Sequence, residues 1–343
     1  MQPNLGGGHF MDESTPGALA PSTPQYTPLE FTGDGWAYFR IWVVNVALSV
    51  LTLGIYSAWA KVRMNRYFYG HTQLAGASFE YLAEPMAILK GRIIAVLALV
   101  LYSAVTQSPT LWALIPPVLF MLALPWLVNR SLAFRLSNTR YRNVRFSFTG
   151  SYGPGFKVHV LWLLAAGLTL GVLLPLALQR QQRFVVEHTR YGLSEFSSEL
   201  AGGAFYAPAL QSLGIFLGAG ALSALLPAVA PLALALGGLM AYAHFSAQSL
   251  NRVLGASQLG DHRFEGRLET LPWAWVLISN AVLVALSLGL AIPWARIRAA
   301  RYRLSHVGLW IEGDLETFLA AEVAQSSALG EELGEAFDLD IGL

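Results

Sequence analysis

Apolar residues run along this chain in seven long stretches separated by polar and mostly basic segments. They are Tyr38–Ala60, Leu89–Gln107, Leu111–Asn129, Val158–Gln179, Tyr206–Leu226, Ala228–Ala247 and Trp273–Ala295. A helix rises about 1.5 Å per residue and a bilayer core is roughly 30 Å thick, so runs of this length predict membrane-crossing helices. One such run could be a core helix of a large globular protein; seven in one chain could not all be buried. The second has Lys90 and Arg92 at its start, which must snorkel to the interface. Ser108–Thr110 and the residues around Pro227 are short, uncharged connections, so spans two and three form one helical hairpin and spans five and six another.

The remaining connections are long and resemble one another. The first reads LGIYSAWAKVRMNRYFYGHTQLAGASFEY from Leu53 to Tyr81. A shift of 117 gives LGVLLPLALQRQQRFVVEHTRYGLSEFSS from Leu170, and one of 235 gives LGLAIPWARIRAARYRLSHVGLWIEGDLE from Leu288. Without a gap, Gly54, Arg63, Arg66, Tyr67 and His71 fall on Gly171, Arg180, Arg183, Phe184 and His188, then on Gly289, Arg298, Arg301, Tyr302 and His306. Weaker copies follow span three, from Pro125, and span six, over Ser246–Glu269. In each copy the apolar helix continues as a basic extension whose Arg, aromatic and His residues share one broad face. The residues after the His alternate, as in Phe79-Glu80-Tyr81, which predicts a short strand or hairpin at the membrane surface.

The predicted fold is an all-α polytopic membrane protein of about seven transmembrane helices in internally repeated three-helix units, with short β-like extensions. Its expected parts are a disordered tail (1–30), a first membrane repeat (31–157), a second (158–270), a seventh span with the third copy of the motif (271–317) and an acidic tail (318–343). An odd number of spans per repeat implies two inverted copies, as in many transporters. Basic residues are densest in the first, second and last connections, so the positive-inside rule favours the N-terminus outside and the C-terminus inside. The rival arrangement makes spans one, four and seven re-entrant; all five extensions could then share a face and pair into one sheet.

Composition agrees with a membrane protein: 55% of the 343 residues are hydrophobic and 13% charged, about half the charge of a soluble domain. After Arg303 there is no Lys or Arg, while Glu312, Asp314, Glu316, Glu322, Glu331, Glu332, Glu335, Asp338 and Asp340 follow. With no cysteine there is no disulfide framework, thiolate metal site or cysteine nucleophile. Met1–Pro28 is rich in Gly, Pro, Ser and Thr and has no basic stretch leading into an apolar run, which reads as a tail and not as a signal peptide.

The stretch FTGDGWAYFRIWVVNVALSVLTLGIYSAWAKVRMNRYFYGHTQLAGASFEY, Phe31–Tyr81, resembles the signature of the bacterial YjgN-like inner-membrane proteins, a domain family of unknown function. Its most specific part is TLGIYSAWAKVRMNRYFYGHT, Thr52–Thr72, and the likeness extends more loosely to about Thr317. In the later copies Trp59 becomes Leu176 and Thr72 becomes Val307. The resemblance implies a multi-pass protein of the bacterial inner membrane and brings no activity with it.

No HExxH, GxSxG elbow or P-loop occurs, and no carboxylate lies mid-span where proton relays need one. Neither an enzyme nor a cofactor or metal is therefore expected. The candidate face for anionic lipid or a phosphorylated ligand is Arg63, Arg66, Tyr67, His71, Arg180, Arg183, His188, Arg298, Arg301, Tyr302 and His306, because arginine near headgroups holds phosphate. The plainer role for such residues is to fix depth and topology. Asn45 and Asn280 are a matched intramembrane polar pair, set either to pack or to line a path. Two functions remain: a transporter-like carrier on inverted repeats, or a non-transporting protein that binds anionic lipid or organises partners. The expected partners are membrane lipids with anionic headgroups and further copies of the chain, with no nucleic acid.

Overall fold

The computed structural model describes residues 24–106 and 114–325. Two N-terminal strands, β1 (Gln25–Pro28) and β2 (Glu30–Phe31), precede α1 (Gly35–Leu51) and α2 (Ser57–Gly70). The first β-hairpin, β3 (Thr72–Leu74) and β4 (Ala77–Tyr81), leads into α3 (Pro85–Thr106) and α4 (Ile115–Ser137). A second, β5 (Thr139–Tyr141) and β6 (Val144–Phe148), is followed by α5 (Tyr152–Phe156), a π turn (Lys157–Leu161), α6 (Trp162–Leu168) and α7 (Leu174–Glu187). Next come β7 (Thr189–Tyr191), β8 (Ser194–Ser198), α8 (Tyr206–Leu225) and α9 (Ala230–Gly255). The chain continues through β9 (Ser257–Leu259), β10 (His262–Gly266), α10 (Thr270–Leu286), α11 (Ile292–Ser305) and β11 (Val307–Ile311). A further helix, α12, covers residues 315–325.

The strands form one antiparallel sheet of 11, in the order β1-β11-β10-β9-β8-β7-β6-β5-β4-β3-β2. Only Leu29 separates β1 from β2, and its N–H donates to Val307 O at 2.8 Å, so the two ends of the sheet meet in a ring. Strands about 4.8 Å apart give such a ring a backbone diameter of roughly 17 Å. Inward-facing Phe79, Tyr141, Val144, Phe146, Tyr191, Phe196, Leu259 and Phe264 fill it together with Leu315 and Leu319 of α12. α12 lies against the hairpin turns. Glu322, buried, accepts from Leu193 N at 3.0 Å and from the Ser194 hydroxyl, and Glu316 pairs with Arg142. Gly192, at φ +59, leaves the room that the Glu322 carboxylate occupies. His262 accepts from Glu312 N at 3.3 Å, and burial holds its imidazole below the ordinary range, which suits a neutral acceptor.

This sheet replaces the short extensions expected from sequence. Phe146–Phe148 pair with Thr189–Tyr191, joining the second connection to the third, and β8 pairs with β9, joining the third to the fourth. All five connections therefore share one side. The N-terminal strand pairs with the C-terminal one, Gln25 opposite Ile311, so both ends of the described chain share it too. The expected split of loops and termini across the bilayer is corrected accordingly.

Among the described residues four helices, not seven, are long and apolar enough to cross a membrane: α3, α4, α8 and the α9 segment. Few of their residues are buried, and α3 has none, as lipid-facing helices require. Spans one, four and seven are each broken into two packed antiparallel arms, α1/α2, α5–α6/α7 and α10/α11, in the manner of the re-entrant arrangement. The break has a local cause. Leu53 and Gly54 adopt φ +49 and +90, Leu170 and Gly171 +53 and +90, and Leu288 and Gly289 +50 and +91. In each, the Gly N–H reaches back five residues, Gly54 to Ser49 O at 2.7 Å, Gly171 to Ala166 O at 2.7 Å and Gly289 to Val284 O at 2.9 Å. These are Schellman terminations, with a leucine at the left-handed position and a glycine, also at positive φ, directly after it. The preceding Thr52, Thr169 or Ser287 hydroxyl then accepts from the first turn of the next arm, at Tyr56 N, Leu173 N and Ala291 N.

Within the tail expected over 1–30, Gln25–Pro28 and the start of Glu30–Phe31 are instead strands that close the ring. Of the acidic tail expected from 318, residues 318–325 belong to α12, whose Leu315 and Leu319 lie in the ring's core. The remainder of both tails and the connection Ser108–Thr110 lie outside the described residues.

Candidate functional site

The matched motif residues are placed first by what holds the ring to its helices. His71, His188 and His306 follow the last residues of α2, α7 and α11, and each ring Nδ1–H donates to the carbonyl four residues back: Tyr67 O at 2.7 Å, Phe184 O at 2.9 Å and Tyr302 O at 2.7 Å. Each imidazole also packs on that aromatic ring, with centroids 4.2, 4.3 and 4.2 Å apart. The carbonyls of the three His accept from Thr32 N, Thr149 N and Arg267 N at 3.0, 2.9 and 2.8 Å. Tyr67 OH donates to Asp34 O and accepts from Asp34 N, both at 2.8 Å, and Tyr302 OH donates to Glu269 O at 3.3 Å. Asp34 caps α1 through a 2.8 Å bond from Ala37 N, which holds its carboxyl below the ordinary range. Through Nδ1, the His carbonyl and the aromatic ring, these residues satisfy helix ends and linkers.

The arginines divide. Arg66 and Arg301 donate to linker carbonyls, Ala83 O at 3.4 Å and Gly33 O at 2.9 Å. Asn129, Gln179 and Asn251 do the same elsewhere, to Ser151 O at 2.9 Å, Leu200 O at 2.8 Å and Leu268 O at 2.9 Å. One side chain from each of the five helices entering the sheet therefore clamps one linker. Arg183 pairs with Glu187 at 2.6 Å, Arg180 lies 5.7 Å from the Trp162 ring, Arg63 donates to Tyr56 OH at 3.1 Å and Arg298 to Ser279 Oγ at 2.7 Å. The three copies stand on different hairpins and do not converge on one pocket.

A different set of cations does converge. A groove of about 410 Å³ opens between α1, α2, α3 and α11. Its wall carries Lys61, Arg92 and Arg296 and no carboxylate. Arg92 donates to Ser57 Oγ, and Arg296 to Tyr38 OH at 3.2 Å and Met64 Sδ at 3.0 Å, so both guanidinium groups are held in place. Asn45 lines the groove and is 7% exposed, with its Oδ1 enclosed and unpartnered. Its match, Asn280, donates to Ala295 O at 3.0 Å; Asn45 makes no such bond to Ala60, the residue corresponding to Ala295. The apolar side of the groove is Trp42, Val46 and Val50. Sequence reasoning singled out Asn45 but passed over Lys61, Arg92 and Arg296. Part of the signal was present: Lys61 and Arg296 correspond at the shift of 235, whereas the middle copy has Leu178.

The profile of a family described as "Bacterial protein of unknown function (DUF898)" matches residues 26–336. The inner membrane protein YjgN of Escherichia coli K12 is 32% identical over 127 residues, 35% of this chain and 31% of that protein. The inner membrane protein YjgN of Salmonella typhimurium LT2 is 30% identical over 155 residues, 42% of this chain and 38% of that protein. These matches thus span about a third of each curated relative. No solved structure matches the chain.

Proposed function

The chain belongs to the DUF898 family of bacterial proteins of unknown function, and from that premise we propose that this multi-pass inner-membrane protein binds anionic phospholipid headgroups in the groove between α1, α2, α3 and α11. The observation that carries the reading is the convergence of Lys61, Arg92 and Arg296 on one cavity without a neutralising carboxylate. Basic pockets between membrane helices on the cytoplasmic side hold anionic headgroups. None of the 22 Lys and Arg residues lies in residues 107–113 or Pro227–Val229, the connections at the far ends of the four spans. The positive-inside rule then puts ring and groove in the cytoplasm, against the leaflet with the negative surface potential. Arg92, two turns into α3, sits at headgroup depth, and Val46 and Val50 meet the start of an acyl chain. A carrier on inverted repeats has less support, because the five hairpins share one side. The role is retention and organisation of lipid, with no reaction performed on it.

The test is the pair Lys61→Gln and Arg296→Gln in the purified full-length protein. Each juxtamembrane charge is worth about 1 kcal/mol near an anionic surface, so the double change should weaken retention of phosphatidylglycerol and cardiolipin by roughly thirtyfold. Arg66→Gln, which alters a linker clamp outside the groove, should leave co-purified lipid unchanged. Equal lipid retention in the double variant and the parent, with folding intact, overturns the reading.

A further inference from the structure

The charge of the groove exceeds what a common phosphodiester headgroup can neutralise. Lys61, Arg92 and Arg296 come from three different helices and face one space, so they repel one another until an anion enters. Six basic side chains elsewhere have acidic partners: Arg140 with Glu80, Arg142 with Glu316, Arg183 with Glu187, Arg190 with Glu195, Arg263 with Glu312 and Arg267 with Glu265. Among the described residues none of the three groove cations forms an ion pair, and no carboxylate lines their cavity. A phosphodiester brings a single charge and leaves two cations uncompensated. A phosphate monoester brings about 1.5 to 2 charges near neutral pH and three acceptor oxygens, and a diphosphate brings more of both.

The donors suit such a group. Ser57 Oγ and Tyr38 OH pin the two guanidiniums, leaving further N–H groups of each fork free, while the Lys61 ammonium has three donors without an acidic partner. The Asn45 amide, unlike that of Asn280, has no carbonyl to serve. We infer that the groove selects a ligand ending in a phosphate monoester or a diphosphate over a singly charged phosphodiester, which rests on its being a headgroup site. The ligand is a lipid, because the charged end of the groove is continuous with Trp42, Val46 and Val50 on the membrane arm α1.

The experiment uses the full-length protein in nanodiscs of phosphatidylcholine doped with either phosphatidate or phosphatidylglycerol, with occupancy read by native mass spectrometry. Phosphatidate should be retained roughly tenfold better than phosphatidylglycerol at pH 8. The ratio should shrink at pH 5, below the second phosphate ionisation near 6, while phosphatidylglycerol retention stays level. Lys61→Gln should collapse the ratio and Lys61→Arg should restore it, which separates charge from folding. Inorganic pyrophosphate added as a soluble competitor should displace phosphatidate poorly; displacement at equal concentration would keep the phosphate selection but overturn the assignment to a lipid. Equal retention of the two lipids, still dependent on Lys61, overturns the selection and leaves the headgroup site standing. Retention of both lipids indifferent to Lys61 and Arg296 removes the site itself.

Discussion

A single recurring residue can be kept for two unrelated reasons, and here the hydrogen bonds tell them apart. His71, His188 and His306 recur because each closes a helix end, and their aromatic neighbours recur because each supports that imidazole. The hydroxyl of Tyr67 adds two bonds to the linker at Asp34, whereas Phe184, at the same place in the middle copy, has none to add. Tyr67→Phe should accordingly lower stability by about 2 kcal/mol, about 1 kcal/mol net for each of the two hydrogen bonds lost. Denaturation in detergent micelles would measure it, and co-purified lipid should not change. An unaltered unfolding midpoint would mean that water serves the linker equally well. Lys61 presents the opposite case, a cation without a carboxylate, whose value lies in what it meets from outside the chain.

Among the elements, the three broken spans have the least ordinary feature, a leucine in the left-handed region at the tip of a helical pair. Leu53, Leu170 and Leu288 are 95%, 97% and 94% exposed. In water that placement would combine backbone strain with an unburied side chain; in acyl chains the side chain is solvated by lipid, so only the strain remains. The chain has no cysteine, which makes it a clean background for single labels. A spin label at Leu53→Cys, Leu170→Cys or Leu288→Cys should be reached by oxygen and shielded from a polar nickel chelate, at a similar depth for all three. A tip accessible to the chelate would show that its arms stand in water. At Gly54, φ +90, a change to Val should cost roughly 1–2 kcal/mol from the backbone alone, with greater loss if the turn reopens into one straight helix.

For the whole molecule, ring closure decides the topology. Pairing of β6 with β7, β8 with β9 and β11 with β1 puts every hairpin and both described ends on one side. Reporter fusions after Glu80 and after Glu199 should both report the cytoplasm, and fusions at residues 110 and 227 the opposite side. Opposite signals from Glu80 and Glu199 would restore the inverted arrangement. Much of this architecture could be read from the chain. The apolar runs and bilayer thickness dictate a polytopic helical protein, and matched Gly, Arg, aromatic and His positions mark where each helix ends and a strand begins. Those properties are local, set by side-chain hydropathy and by turn geometry within a few residues. The Leu-Gly pairs even carried the signal for the breaks, but hydropathy averages over a window and a Schellman turn inside an apolar run leaves the average unchanged. What only the tertiary structure decided is non-local: which strands pair, and therefore which loops share a side. The same holds for the groove, since Arg92 and Arg296 are far apart in sequence and become neighbours of Lys61 only when the ring brings α11 back beside α1. Backbone pairing and charge convergence depend on distances in space, and no periodicity along the chain encodes them.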